Sequence, residues 1–227
     1  MIRVVSWNIE HGLSIAQAAT DLTTIPALQD PDILLLQEMS GTGTENLAAQ
    51  LGLEHRYFAP ANHPETGLPF GNAILSRWPM GETEFCDLPH TARIQGQPRS
   101  VTWTVVVVDG MPVTTFSVHI ETVLLGLRRR AEQVDTLRST TVGHDTVVIG
   151  GDFNTASRRS THCFDSVLNK AGLYRTSNSN AATFHRFGRP FRLDHLYAKG
   201  LVCVASGVAA GATASDHLPI WARFERR

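Results

Sequence analysis

Residues 147–154, Val-Val-Ile-Gly-Gly-Asp-Phe-Asn, form an apolar run that ends in two glycines, then an acid and an amide two residues apart. A buried strand that stops on Gly-Gly and delivers a carboxylate and a carboxamide at its C-terminal end presents chemistry. Side chains two apart on an extended chain point the same way, so Asp152 and Asn154 are expected to converge on one small anionic or metal-bound group. For an isolated Gly-Asp-x-Asn, a strand end closed by an Asx turn is the competing reading.

The pattern recurs along the chain. Val4-Val5-Ser6-Trp7-Asn8 ends on an amide, and Ile33-Leu34-Leu35-Leu36-Gln37-Glu38 ends on a carboxylate. Ser215-Asp216-His217 stands just before the apolar run at 218–224, Ser117-Val118-His119 closes another strand, and Leu193-Asp194-His195 lies in a further one. Acids, amides and histidines thus recur at strand ends in a fixed order.

That ordered set resembles the endonuclease/exonuclease/phosphatase superfamily, which includes pancreatic-type deoxyribonucleases, apurinic endonucleases, neutral sphingomyelinases and inositol polyphosphate phosphatases. The resemblance rests on SWN at 6–8, LLLQE at 34–38, GNAILSR at 71–77, SVHIE at 117–121, GGDFN at 150–154, LDHLY at 193–197 and SDHLP at 215–219. It covers almost the whole chain and speaks for family more than for substrate. It implies that Asp194 and His217 form a pair, that His119 touches the scissile phosphate in the deoxyribonuclease-like branch, and that Asn72 lines the site.

The residues support such chemistry on their own terms. Hydrolysis of a phosphate ester needs a divalent cation, an activated water and donors for the developing charge. Glu38 and Asp216 are hard oxygen ligands suited to Mg²⁺ or Mn²⁺, and Asn8 adds a neutral oxygen. Asp152 can align or deprotonate the attacking water, and Asn154 can donate to a phosphoryl oxygen. His217 would stabilise or protonate the phosphate, with Asp194 orienting its other ring nitrogen. His195, on an alternating strand, should point away from Asp194. His11 is intermediate because it sits beside motif residues, whereas His55, His63, His90, His144, His162 and His185 read as ordinary histidines. Glu10 and Glu121 lie near the site in sequence but could equally be solvated.

Periodicity places these residues. Strands are expected at 2–8, 32–38, 55–59, 72–77, 83–87, 100–108, 112–120, 146–152, 182–187, 192–198, 201–208 and 218–225, and helices at 14–29, 43–51, 124–141 and 162–171. Leu127, Ala131, Val134 and Leu137 give the third helix one apolar stripe, and Pro26 should end or kink the first. Asp109-Gly110 reads as a hairpin turn between two β-rich runs. The expectation is an α/β fold, a four-layer α/β/β/α sandwich of two mixed β-sheets with helices on the outer faces and every motif residue at one rim. Residues 1–227 are read as one domain, and the loops at 60–71 and 88–99 as rims of the site.

Composition narrows the setting. Hydrophobic residues make up 42% of the 227, enough for a substantial core. No apolar run approaches the roughly 18 to 20 residues that cross a bilayer, and a cytoplasmic monomer is expected. Cys86, Cys163 and Cys203 are scattered and odd in number, which argues against a disulfide framework and shows no metal-binding spacing. The net charge of −1 leaves any nucleic-acid-binding face to be local. One segment could supply it: residues 184–192 interleave three aromatics with arginines, Arg189 among them, and Arg158-Arg159 follows the GGDFN turn. Arginines there could grip flanking phosphates and an exposed Phe could stack on a base. The bland alternative is a hairpin whose phenylalanines are core. Arg128-Arg129-Arg130 reads as the solvated face of a helix, with Arg128 reaching Glu132.

The expected function is a divalent-metal-dependent phosphodiesterase or nuclease whose substrate is a phosphate ester, DNA or RNA included. The alternative is a phosphatase or phospholipase C-like enzyme on an inositol phosphate or sphingomyelin-type substrate. A noncatalytic binding protein of this fold would be expected to have lost a ligand or His217, yet all these residues are present.

Overall fold

A computed structural model describes residues 1–63, 67–94, 96–176 and 181–226. Its elements in chain order are β1 (Ile2–Asn8), α1 (Ile15–Thr24), β2 (Ile33–Met39), α2 (Gly41–Leu51), β3 (Glu54–Asn62), β4 (Pro69–Ser76), β5 (Glu84–Asp87), β6 (Ser100–Val108), β7 (Met111–His119), α3 (Leu127–Thr140), β8 (Val147–Asp152), α4 (Arg158–Leu168), β9 (Tyr174–Arg175), β10 (Phe184–Arg186), β11 (Arg189–Phe191), β12 (Asp194–Lys199), β13 (Leu201–Val208) and β14 (Ile220–Arg226). Two six-stranded sheets run β13-β14-β1-β2-β4-β3 and β5-β6-β7-β8-β12-β9, while β10 and β11 form a separate hairpin. Each large sheet has one parallel pair, β1 with β2 and β7 with β8; the crossovers carry α1 and α3.

Alternation along the strands sorts the apolar residues into three layers. Val4, Ile33, Leu35 and Ile74 of the first sheet meet Val106, Val113, Val148 and Leu196 of the second. Val5, Trp7, Leu34 and Leu36 face outward onto Ala18, Leu22 and Leu47 of α1 and α2. On the far side, Phe116, Val118, Val147 and Ile149 pack on Val134, Leu137, Phe164 and Leu168 of α3 and α4. The result is the expected α/β/β/α sandwich of mixed sheets, with one core between the sheets and one beneath each helical layer.

Element ends depart from expectation for local reasons. Helix α1 stops at Thr24 rather than 29 because Pro26 forces Ile25 into extended backbone, at φ −80° and ψ 117°. Helix α4 begins four residues early because Ser157 caps it, its Oγ accepting from Ser160 N while Ser157 N donates to Ser160 Oγ. Ser40 likewise starts α2 at Gly41. The Asp109-Gly110 turn forms with φ of 49° and 76°, the doubly left-handed geometry of a two-residue hairpin. The run expected as one strand at 182–187 ends at Arg186, where Phe187 and Gly188, at φ 50° and 72°, turn the chain into β11. Part of the loop expected at 60–71 falls on residues 64–66, outside the described residues, and Asn62 still belongs to β3.

Gly150 sits where the two sheets approach closely on the way to the site. A Cβ there would lie 2.7 Å from Leu35 Cδ1, 2.8 Å from Ser6 Cβ and 2.9 Å from Leu196 Cδ2. At Gly151 it would lie 1.9 Å from the Val118 carbonyl oxygen on the neighbouring strand. Gly150→Ala should therefore cost about 1–3 kcal/mol of stability in urea unfolding, and Gly151→Ala more, since backbone cannot yield as a side chain does. A wild-type midpoint for both variants would refute this account of the glycines.

Candidate active site

Strand register brings the motif residues together before any side chain is considered. His119 at the end of β7 pairs with Asp152 at the end of β8, which pairs with Asp194 at the start of β12. In the other sheet Asn8 at the end of β1 pairs with Gln37 of β2, and His217 precedes β14. Both rows lie at the same rim.

Two backbone departures aim the remaining ligands. Leu34 and Leu36 face the helical layer, and so does Met39, although strict alternation would turn it the other way; the register of β2 against β4 shifts between Leu36 and Met39. This bulge frees Glu38, at φ 60°, to turn toward the rim. Asn154, at φ 51°, also leaves the extended path. Its N–H donates to Asp152 Oδ1 at 2.8 Å, an Asx turn, so the two side chains meet through a turn rather than along a strand. Arg130 stiffens that turn from below, donating to the carbonyls of Phe153 and Asn154. Its placement corrects the reading of Arg128-Arg129-Arg130 as a solvated face: Arg128 is 93% exposed and bonded to Glu132, but Arg130 is buried.

Asp152 Oδ2 is the centre of the arrangement. It accepts from Asn8 Nδ2 at 3.2 Å and stands 3.4 Å from His119 Nε2 and 3.8 Å from His217 Nε2. Asn8 Nδ2 also donates to Glu38 Oε1 at 3.1 Å, while Asn8 Oδ1 accepts from the Glu10 N–H. In this arrangement the Asn8 amide bridges two carboxylates, and its oxygen is engaged by backbone. His217 Nδ1 donates to Asp194 Oδ2 at 2.9 Å. Trp7 Nε1 donates to the His217 carbonyl, holding the segment that carries the imidazole.

The electrostatics follow from burial and neighbours. Burial, then the charge of Asp194, pushes the Asp152 carboxyl up to about 7. Burial works against the charged form of His217, but Asp194 and Asp152, with the Asp194 hydrogen bond, outweigh it and raise its pKa to about 10. His119 goes the other way: burial first, then the Arg99 guanidinium, holds it well below the usual imidazole range. Arg99 has no acceptor, so in its 3.0 Å contact His119 Nδ1 accepts and the single ring proton sits on Nε2, facing Asp152. The site at neutral pH thus pairs a cationic His217 with a neutral His119.

The donor set fits a hard divalent cation. Glu38, Asp152 and Asp194 supply carboxylate oxygens, and among the described residues the buried Asp194 Oδ1 has no hydrogen-bond partner. Asp152 and Asp194 place carboxylate oxygens beside the His217 ring, these atoms all lying within 4.8 Å of one another. No cysteine belongs to that group, which favours Mg²⁺ or Mn²⁺ over softer ions.

Other expected residues fall in different places. Asp216 is exposed; its carboxylate lies 3.5 Å from Ser215 Oγ and its N–H donates to Glu10 Oε2, so no contact joins it to Glu38 or Asp152. Asn72 is buried and donates to the Ser100 carbonyl, tying β4 of one sheet to β6 of the other beside Glu38 and His119. Arg158 is exposed at the start of α4, and Arg189 is exposed on β11. His195 points away from Asp194 as expected, its Nε2 lying 2.6 Å from Thr155 Oγ1. Glu121 is fully buried rather than solvated: it accepts from the N–H groups of Thr122, Gln97 and Ala92 and lies 3.7 Å from Arg99. Part of the loop expected at 88–99 falls on residue 95, outside the described residues; of the rest, Ala92 and Gln97 hold Glu121 against Arg99, which in turn meets His119. His63, read as ordinary, is buried, with its ring centroid 4.0 Å from that of His11, whose Nδ1 lies 3.2 Å from Glu38. The phenylalanines of 184–192 are not core: Phe187 is 92% exposed and Phe184 lies on His217 with ring centroids 4.7 Å apart.

Comparison with known proteins agrees with this fold. The profile of the Endonuclease/Exonuclease/phosphatase family matches residues 5–217. A UPF0294 protein of Yersinia pseudotuberculosis is 26% identical over 235 residues, spanning 99% of this chain and 84% of its own length. Among solved structures, an endonuclease/exonuclease/phosphatase from Bacteroides vulgatus superposes with a TM-score of 0.79 at 16% identity, covering 100% of this chain and 99% of its own. The mannosyl-6-phosphatase of Bacteroides thetaiotaomicron gives 0.76 at 16% identity, over 99% of this chain and 100% of its own. D. rerio TDP2, complexed with a single-strand DNA product, gives 0.76 at 16% identity over 99% of this chain and 98% of its own. Among the described residues, no helix is long and apolar enough to cross a membrane.

The His217–Asp194 pair makes stability pH-dependent. A histidine whose folded pKa is raised to about 10 stabilises the fold fully below its unfolded value near ~6.5, and that contribution is lost as pH rises through 10. In chelator, the urea midpoint should therefore fall between pH 7 and 10. Asp194→Asn removes the main charge that holds the proton, so its midpoint should change much less over the same range. Parallel curves for the two proteins would contradict the pairing.

Proposed function

Because the chain belongs to the endonuclease/exonuclease/phosphatase family, we propose that its strand-end cluster is the active site of a single-domain, divalent-metal-dependent phosphodiesterase acting on nucleic acid. Glu38, with Asn8 and Asp152 beside it, would hold the cation, with Asp216 as the further ligand offered at the same rim. Bound there, Mg²⁺ or Mn²⁺ neutralises phosphoryl charge and acidifies water. Asp152, with a carboxyl pKa near neutrality, accepts the proton of the attacking water. His217, kept protonated by Asp194, and His119, with its proton on Nε2, face Asp152 and donate to the phosphate oxygens that gain charge. Asn154 gives one amide hydrogen to the Ile120 carbonyl, which fixes the other as a donor to the same phosphoryl group.

The hairpin β10–β11 carries the substrate reading. It is tied to the site by the pairing of Phe184 with His217, and its tip presents Phe187 between Arg186 and Arg189, with the Arg186 guanidinium 5.3 Å from the Phe187 ring. An exposed aromatic flanked by cations beside a phosphate site suits base stacking and backbone contact. TDP2 in its DNA complex and the mannosyl-6-phosphatase show that one scaffold serves both substrate types. A phosphatase or phospholipase C-like activity is the second reading. It is favoured by Leu13, Ile94, Val123 and Leu124, apolar side chains exposed in segments that adjoin β1, β6 and β7 at the site rim.

His217→Ala and Asp194→Asn should each lower kcat on an aryl phosphodiester by roughly 10²-fold or more. The double variant should be little worse than the poorer single one, because the two act as a unit; clean multiplication of the defects would separate them. Arg189→Ala should weaken cleavage of a long oligonucleotide and flatten its salt dependence while the aryl substrate is spared. Equal losses on both substrates, or no turnover of any nucleic acid by the wild type, would move the assignment to the second reading.

A further inference from the structure

A cavity of about 430 Å³ opens beside the site, bordered by Thr155, Ser157, Arg158, Arg175 and Arg192. Its position follows from the chain: Thr155 succeeds Asn154, and Arg192 stands two residues before Asp194. Thr155 Oγ1 donates to the Arg192 carbonyl at 2.8 Å, which ties the GGDFN turn to the strand that delivers Asp194.

The charges around this cavity do not balance. Asp165 is the carboxylate in its wall, and it is already engaged: it accepts from Arg175 Nε and Nη2, each at 3.2 Å, and from the Tyr197 hydroxyl at 2.9 Å. Among the described residues, Arg158 and Arg192 have no carboxylate within ion-pair distance. Arg192 is half-buried; its Nη1 reaches the Ala181 carbonyl only at 3.4 Å, and among the described residues its buried Nε has no partner. The N-terminus of α4 is capped by Ser157, so the guanidinium groups rather than the helix end define the surroundings.

We propose that this cavity binds a second phosphate of the substrate, beside the one that reacts, with Arg158 and Arg192 as its charged contacts. The inference rests on the phosphoesterase reading above. Guanidinium forks meet two oxygens of a phosphate at once, and beside a phosphoesterase site a further phosphate of the substrate is the oxyanion at hand. The second phosphate has two sources, the backbone of a nucleic-acid strand or the other phosphoryl group of a bisphosphorylated small molecule.

The test is calorimetric titration in chelator with two matched pairs of ligands: a thymidine dinucleotide with and without a 5′-phosphate, and propane-1,3-diol bisphosphate against its monophosphate. Wild type should prefer the member with the extra phosphate by roughly tenfold or more in at least one pair, and the pair that shows it identifies the source. Arg158→Gln and Arg192→Gln should each remove most of that preference. Arg158 is exposed, so its variant keeps the test sound even if Arg192→Gln fails to fold. No preference in either pair, or a preference that survives in every folded variant, would overturn the proposal. Metal-dependent turnover of an aryl phosphodiester, which carries one phosphate, is measured on the same preparations. Turnover without the preference defeats the cavity assignment alone, and the preference without turnover defeats the phosphoesterase reading alone.

Discussion

Burying several carboxylates and imidazoles at the seam of two sheets is the constraint around which this molecule is arranged. Asp152, Asp194, His119 and His217 are all nearly inaccessible, and unpaired charge in such a place is costly. Each is answered by a specific partner: Asp194 by His217, His119 by Arg99, and Asp152 by the Asn8 amide. Arg99 in turn lies against Glu121, which backbone N–H groups hold in place. Glu38 and Asp152 share the one Asn8 amide nitrogen, and a divalent cation would offset the charge of both carboxylates.

Holding these groups requires departures from regular structure in two places: the bulge at Glu38 turns a strand residue to the rim, and Asn154 takes left-handed backbone, while Gly150 and Gly151 inside regular β8 leave room for the other sheet and for β7. Each would be unfavourable in isolation. Each is over-determined by its surroundings: the turn at Asn154 is fixed by its own Asx bond and by Arg130 beneath it. Local strain and the chemistry therefore occupy the same few residues.

Much of this was legible in the sequence. Period-two alternation and the helical stripe at 127–137 indicate the layers, and the fixed order of acids, amides and histidines indicates the rim. Asp194 with His217 and Asp152 with Asn154 are in contact as those motifs suggest. What escaped was whatever depends on partners remote along the chain. Arg99 and Glu121 join a loop to a strand end, and no local pattern announces a buried ion pair. Arg130 was legible in principle, since Leu127, Arg130, Val134 and Leu137 fall at steps of three and four on the buried stripe; its charge disguised it. At Asp216 the motif fixes the neighbours in sequence but not where the side chain points, and the carboxylate is exposed. The exposed Phe187 likewise follows from a two-residue turn, which composition alone does not separate from a core hairpin.

The central claim is that the carboxylates at this rim take a divalent cation and use it to hydrolyse phosphate esters. Turnover of an aryl phosphodiester, followed across a series of Mg²⁺ and Mn²⁺ concentrations for wild type and Glu38→Gln, tests it most directly. Wild-type turnover should vanish in chelator and return with either metal, and the variant, folded by its thermal melt, should need a higher metal concentration to reach a lower rate. Turnover that resists chelation, or an unchanged metal dependence in the folded variant, would contradict the account.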